Sequence, residues 1–376
     1  MSTKRLELEL IPLQEWLPFD SKPVLIAGPC SAESEDQLIK TALGIKKYFN
    51  QFVFRAGIWK PRTRPGQFEG IGVIGLDWMK RVKEETGAWL TTEVANPMHI
   101  EKALKNGIDI LWIGARTTVN PFSVQELANA LRGVDVPVLI KNPAYPDLQL
   151  WIGALERFNR VGIKKMATVH RGFHSYEVTA YRNQPQWETA LELKTMCPEL
   201  PMICDPSHIC GNTHLTAHVS QKAMDLHYDG LMIETHIDPL RALSDARQQI
   251  TPDRLYEIIS NLVIRDPLEE TEKSKLQELR DKINELDEDL LQTLSSRMLL
   301  SKEIGDWKRD NNVIVFQVSR WEEVLKKVLE LGENLGLKRD FVKQLYMQIH
   351  DESIRTQVDI MNITSKDQPK GEVVRS

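Results

Sequence analysis

The stretch "WKPRTRPGQFEG" (59–70) places Lys60, Arg62 and Arg64 within five residues of one another in a chain whose net charge is -5. Arg116, Lys141 and Arg171 follow at wide spacing, each just past a short apolar run. Six cations aimed at one place repel strongly unless the ligand is a polyanion, and guanidinium forks fit phosphate and carboxylate oxygens two at a time. A second group, Cys30, His208, Glu234 and the nearby Asp245 of "ALSDARQQ", mixes soft and hard donors. That set suits a divalent transition metal of the Mn, Co, Fe or Zn class better than magnesium, and it is not the four-thiolate pattern of structural zinc. Metal plus several cations points to a phosphorylated substrate with a carbonyl for the metal to polarise. Taken singly, each residue reads more readily as a solvated loop charge or a paired barrel residue. Only a common position reverses that reading.

The elements supply that position. Eight β-branched-rich runs, "VLIAGPC" (24–30), "FVFRAGI" (52–58), "WLTTEV" (89–94), "ILWIGA" (110–115), "PVLIKNP" (137–143), "MATVHRG" (166–172), "MICDPSH" (202–208) and "GLMIETH" (230–236), alternate with helix-compatible segments. Near-continuous apolar strands in that alternation mean a parallel sheet, and eight of them predict a closed (β/α)8 barrel. An open doubly wound sheet fits less well, because no strand-turn-helix carries a glycine-rich nucleotide fingerprint. Catalysis in such barrels sits at the C-terminal strand ends. Cys30, Lys60, Arg62, Glu93, Arg116, Lys141, Arg171, Asp205, His208, Glu234 and His236 all fall there.

After "TPDRLYEIISNLVI", read as the last barrel helix, the pattern changes. The expected division is a barrel over 1–264, a charged linker over 265–275, an all-helical domain over 276–362 and a disordered tail over 363–376. From about Glu270 to Arg309 no proline interrupts an apolar stripe through Leu276, Leu279, Ile283, Leu286, Leu290, Leu294, Met298 and Ile304, which predicts one helix of nearly forty residues. Two shorter helices are expected near 317–334 and 339–361. Stepping by sevens from Ile283 and Leu290 brings Arg297 to a core position. Lys308, eleven residues on, shares its face. The last helix carries Ser353 and Gln357 within its own apolar stripe. Polar interruptions of this kind commonly set coiled-coil register. Two buried cations without buried acids, however, ask for a dianionic ligand.

The motifs "IAGPCS", "KPRT", "IGAR", "DPSH", "LMIE" and "ALSD", in this order, resemble the beta-subgroup class I 3-deoxy-D-arabino-heptulosonate 7-phosphate (DAHP) synthases over about residues 20–262. The resemblance implies condensation of phosphoenolpyruvate with erythrose 4-phosphate and release of phosphate, the entry step of the shikimate pathway. It assigns Cys30, His208, Glu234 and Asp245 to the metal, and Lys60, Arg116, Lys141 and Arg171 to phosphoenolpyruvate. Arg62 and Thr63 go to erythrose 4-phosphate, and Lys60 is also placed to support proton transfer near the enol carbon. The 3-deoxy-octulosonate 8-phosphate synthases share fold and phosphoenolpyruvate chemistry, but "KPRT" favours the four-carbon sugar. The chain departs from the pattern at Arg64, at "IKNP" and at His170.

"LRDKINELDEDLLQTLSSRMLLSKEIGDWK" is similar to the first helix of the all-helical (AroQ-type) chorismate mutases, with the likeness running from about 272 to 360. It implies rearrangement of chorismate to prephenate, with Arg280, Arg297, Lys308, Arg320, Ser353 and Gln357 at the substrate and Lys308 and Gln357 as donors to the ether oxygen. Gln317 and Trp321 stand where that family has an aspartate and a glutamate. Arg280 is seventeen residues from Arg297, ~25 Å along one helix, so both cannot reach one small substrate within a chain. An intertwined homodimer with two shared sites follows, with feedback on the barrel by prephenate or chorismate as the reason for the fusion. The competing expectation is a helical module that dimerises and binds chorismate or prephenate without turnover.

Composition is compatible with this. With 41% hydrophobic and 27% charged residues, no apolar run near membrane-span length and no secretory pattern at "MSTKRLELELIPLQEW", a cytoplasmic protein without membrane or nucleic-acid partners is expected. Four cysteines are too few for a disulfide framework, and Cys197, Cys204 and Cys210 read as structural. His214 and His218 lack the glutamate of a zinc helix and read as ordinary helix residues, while Trp151 and Trp187 read as packing barrel helices.

Overall fold

The computed structural model describes residues 5–60, 66, 68–176, 179–265 and 273–362. It divides into two compact units, Met1–Asp266 and Pro267–Ser376.

In the first unit eight parallel strands close into a barrel in chain order. They are β1 (Val24–Gly28), β2 (Val53–Arg55), β3 (Trp89–Val94), β4 (Ile110–Ile113), β5 (Val138–Lys141), β6 (Met166–His170), β7 (Met202–Cys204) and β8 (Gly230–Glu234). The barrel closes where β1 pairs with β8, Gly28 beside Glu234. Because side chains alternate across a strand, one parity of each run faces the barrel axis and the other faces the helices. Val24, Ile26, Val53, Ile110, Trp112, Leu139, Ala167, Val169, Ile203 and Met232 form the inner core, and Leu13, Trp16 and Leu17 of the N-terminal segment pack against it. Leu25, Ala27, Phe54, Leu111, Ile113, Val138, Ile140, Leu231 and Ile233 pack outward on the helices. The same inward parity, carried two residues past this core, selects Arg55, Lys141, Arg171, Asp205 and Glu234. Register alone thus delivers a ring of charge to the C-terminal mouth.

Gly28 shows how tight that mouth is. Its φ is +148°, and a Cβ there would lie 2.1 Å from the Arg55 carbonyl oxygen, so β1 and β2 approach where a side chain cannot fit.

The second unit is a long helix, Lys273–Asp310, followed by Val318–Asn334 and Arg339–Asn362. The long helix begins inside the segment expected to be linker, and residues 266–272 and the tail from 363 lie outside the described residues. Gly305 lets the long and last helices touch closely, a Cβ there falling 3.2 Å from the Gln357 Cα. Among the described residues of this unit, Leu329 and Val342 are the large apolar side chains that are buried. Leu279, Ile283, Leu286, Leu290 and Leu291 stand between 50% and 66% exposed. Ile283 and Leu290, expected in a core, therefore find none within one chain.

His218 lies in the helix Thr216–Asp225, whereas His214 does not. It sits in the preceding turn, where its backbone N–H donates to Asn212 Oδ1 at 3.0 Å. Trp151 is fully buried in Leu148–Arg160 and donates from Nε1 to the Ile140 carbonyl at 3.2 Å.

At the outward face of β6, His170 is fully buried among Trp151, Phe173, Trp187 and Tyr228. Its Nε2 is 2.6 Å from the Pro185 carbonyl and its Nδ1 is 2.9 Å from the Tyr228 hydroxyl. A carbonyl can only accept, so Nε2 carries the proton and the Tyr228 hydroxyl donates to Nδ1. Burial is the main cause that lowers this imidazole to about 4, holding it neutral. The unfolded chain takes up a proton below about 6.5 that the native state refuses, so the contribution is complete above 6.5 and is lost as pH falls towards 4. Urea unfolding at pH 6.5 and pH 4 should show wild type losing on the order of 3 kcal/mol more than a His170→Gln variant. Equal losses would exclude His170 as the source.

Candidate functional site

The mouth of the barrel holds an open cavity of about 560 Å3, lined among others by Glu93, Arg116, Lys141, Arg171, Arg182, His208 and Asp245. Of the cations expected to converge, Arg116, Lys141 and Arg171 share it. Arg62, Thr63 and Arg64 lie outside the described residues. Lys60 stands beside Cys30, its Nζ 2.9 Å from Sγ.

Like charges this close are held by buried acids. Lys141 Nζ donates to Asp205 Oδ2 at 2.8 Å, and Arg55 Nη2 meets Glu234 Oε1 at 3.1 Å. Trp112 lies beneath both cations, 4.9 Å from the Arg55 guanidinium carbon and 5.8 Å from Lys141 Nζ. Its indole N–H donates to Glu93 Oε2. Arg171 donates its backbone N–H to Asn142 Oδ1 and its Nη1 to Asn183 Oδ1, both at 2.7 Å. Burial first, then Arg182 and Arg116, brings its guanidinium down to about 10, still charged at neutral pH.

Asp205 also places His208. It caps the short helix Pro206–Cys210, where Oδ1 accepts from the His208 backbone N–H at 3.0 Å, and its Oδ2 lies 2.7 Å from His208 Nδ1. His208 Nε2 lies on the Glu234 side, 3.7 Å from Oε1. Cys30 Sγ, a Glu234 oxygen and an Asp245 oxygen lie within 4.8 Å of one another. Cys30 Sγ is 3.5 Å from Asp245 Oδ2. Asp245 adopts φ +46°, unusual for a non-glycine residue, while Arg182 grips its other oxygen at 3.1 Å. Against the opposing effect of burial, Arg182, His208 and Lys60 hold the Asp245 carboxyl down near 2. Burial and the Glu234 charge push the Cys30 thiol up to about 12, so a thiolate there needs added positive charge. Three clustered donors, one of them a thiol short of positive charge, with the His208 imidazole close by, fit a divalent transition metal.

Sequence reading missed Arg55, Asp205 as the group that pairs with Lys141 and caps the helix of His208, and the Arg182–Asn183 pair. Arg55 is 1% exposed, and its Nε and Nη1 have no hydrogen-bond partner among the described residues. The signal was present: a lone arginine in the apolar run "FVFRAGI", at the parity that faces the axis.

The helical unit has its own cavity of about 350 Å3. Arg297, Lys308, Arg320, Ser353 and Gln357 all line it, with Gln317, Trp321 and His350. Arg297 Nη1 donates to Ser353 Oγ. Lys308 Nζ donates to Gln357 Oε1 at 3.0 Å and to the Val315 carbonyl at 2.6 Å. The two cations expected to be buried are half-buried instead, resting on neutral partners, and burial lowers Lys308. Arg320 reaches the rim, 2.7 Å from Glu323. Arg280 is exposed and does not line this cavity.

Comparison with known proteins matches both units to families. Residues 18–265 match the DAHP synthetase I family and residues 279–358 match chorismate mutase type II. A Thermotoga maritima phospho-2-dehydro-3-deoxyheptonate aldolase is 30% identical over 243 residues, covering 63% of this chain and 68% of that protein. A Wolinella succinogenes 2-dehydro-3-deoxyphosphooctonate aldolase is 28% identical over 267 residues, covering 64% of this chain and 98% of that one. The crystal structure of a phospho-2-dehydro-3-deoxyheptonate aldolase (DAHP synthase) from Thermotoga maritima superposes with a TM-score of 0.57 at 26% identity, covering 67% of this chain and 75% of the other. No helix among the described residues is long and apolar enough to cross a membrane. With two catalytic domains in one polypeptide, the chain belongs to the DAHP synthetase I family and carries a type II chorismate mutase domain behind its barrel, as a bifunctional shikimate-pathway enzyme.

Proposed function

We propose that the barrel condenses phosphoenolpyruvate with erythrose 4-phosphate to DAHP and phosphate, and that the helical unit converts chorismate to prephenate, in the cytoplasm. The observation that carries the first half is the cavity wall, where Arg116, Lys141 and Arg171 line one opening together with His208 and Asp245, next to the Cys30–Glu234–Asp245 cluster. A small polyanion in that opening would meet all three cations. Arg62 and Thr63 hold the sugar phosphate. Lys60 supports proton transfer near the enol carbon. A divalent transition metal held by Cys30, His208, Glu234 and Asp245 would supply Lewis-acid polarisation of the sugar aldehyde.

In the helical unit Arg297, Arg320 and Lys308 clamp the two carboxylates of chorismate in the compact conformer, with Ser353 as a further contact. Lys308 and Gln357 stabilise charge developing on the ether oxygen, without a covalent step. The exposed stripe through Leu279, Ile283, Leu286 and Leu290 supports a second copy of the chain as its cover, which would also bring Arg280 to the partner's site. Prephenate made or bound there is the proposed inhibitor of the barrel reaction.

Phosphoenolpyruvate consumption should require erythrose 4-phosphate and stop with a chelator. Cys30→Ala should remove synthase turnover and spare the mutase, whereas Lys308→Ala should cut mutase turnover by about a hundredfold or more and spare the synthase. Loss of both activities in either variant would contradict separate sites. Saturating prephenate should lower the synthase rate of the intact chain; an unchanged rate would end the feedback idea. Finally, Arg280→Ala and Lys308→Ala chains, each impaired alone, should regain mutase activity when co-assembled. One intact site in each mixed dimer gives about a quarter of wild-type turnover under random pairing. No recovery would mean that each site is built from one chain.

A further inference from the structure

Among the groups lining the helical cavity, His350 is the titratable one that the clamp does not use. It lies on the last helix, one turn before Ser353 and two before Gln357, and it lines the cavity with Arg297 and Lys308. Trp321, from the middle helix, stacks on it face to face, with ring centroids 3.9 Å apart and planes 15° from parallel. Phe316 packs against the same ring at 5.8 Å and 57°. Two aromatic neighbours from another part of the chain therefore fix the imidazole plane. Yet Nε2 is shielded from solvent with no hydrogen-bond partner among the described residues. A buried, oriented polar atom without a partner is destabilising, which is poor use of a position that an apolar side chain could fill.

The electrostatics narrow what that atom can meet. Burial first, then Arg297, lowers the imidazole pKa, with Lys308 adding to the effect and Asp351 opposing it. A ring kept neutral beside two cations is a weak competitor for a carboxylate, which Arg297, Arg320 and Lys308 would take. Its natural partner is a neutral hydroxyl, to which an imidazole nitrogen can donate or from which it can accept according to tautomer. Chorismate and prephenate each carry two carboxylates and one ring hydroxyl, so the clamp leaves that one group over.

We infer that His350, held in plane by Trp321, recognises the ring hydroxyl of the dianionic ligand and is a specificity-determining residue of the mutase site. This inference rests on the reading of the cavity as a chorismate site. It gives the stacked pair a common purpose: Trp321 sets the plane and His350 supplies the polar atom.

The test uses the intact chain and His350→Phe, which keeps an aromatic ring for Trp321 to stack on and removes the nitrogen. KM is measured for chorismate and for 4-deoxychorismate, and the dissociation constant for prephenate is measured by calorimetry. Synthase turnover serves as the control for intact protein. The expected result is an about tenfold weaker response to chorismate and prephenate in the variant, the loss of one hydrogen bond to a neutral group, with 4-deoxychorismate unaffected. Equal losses for both substrates, or none for either, would overturn the hydroxyl contact while leaving the mutase reading in place. A wild-type chain that neither binds prephenate nor consumes chorismate would instead remove the reading on which the inference stands.

Discussion

The barrel site depends on one constraint: several cations must sit in a low-dielectric mouth before any substrate arrives. Unit charges a few ångströms apart repel by several kcal/mol even at an intermediate dielectric. Two buried acids make the arrangement tolerable, Glu234 for Arg55 and Asp205 for Lys141. Neither acid serves one partner alone. Glu234 also belongs to the Cys30–Glu234–Asp245 cluster, and Asp205 also caps the helix that carries His208 and lies against its ring. An ion held by that cluster would therefore change, through the shared carboxylates, the charge felt by the cations beside it. Such pairs contribute little net stability, because desolvation offsets most of their attraction. Their effect is positional.

The helical unit solves a related problem with less material. Among the described residues no acid partners Arg297 or Lys308, which rest on Ser353, Gln357 and a backbone carbonyl. Neutral partners position a cation without cancelling its charge, so it remains strong for a carboxylate ligand. Among its described residues the unit buries few large apolar side chains, since its apolar stripe faces outward over most of the long helix. Site and assembly are therefore parts of one question in this half of the molecule, whereas the barrel encloses its core within a single chain.

The two aromatic-supported histidines show how the same residue type takes different tasks. His170 has both nitrogens satisfied and ties the end of β6 to the loop that carries Arg182 and Asn183. His350 has its plane fixed and its Nε2 unsatisfied. Burial lowers both, but only the second leaves chemistry over for a ligand.

Strand count, strand order and the three helices were legible in the sequence because each depends on local periodicity: near-continuous apolar runs for buried parallel strands, and a 3.6-residue stripe for the helices. The placement of Lys141, Arg171 and Glu234 followed from the same rule, since a residue two past an inward apolar position faces inward as well. What periodicity cannot show is who pairs with whom across the barrel. Arg55 was hidden inside a strand run, and its importance comes from meeting Glu234, 179 residues away, above the ring of Trp112. Asp205 read as a strand-end charge until folding put Lys141 and His208 on the same carboxylate. Likewise the sequence put cations on the apolar face of a helix, but only the packing of the last two helices against it brought Trp321 and His350 into ring contact. The physical reason is the same throughout: a residue's face is set by its neighbours along the chain, whereas its partner, and so its charge state and chemistry, is set by residues that only the closed structure brings within a few ångströms.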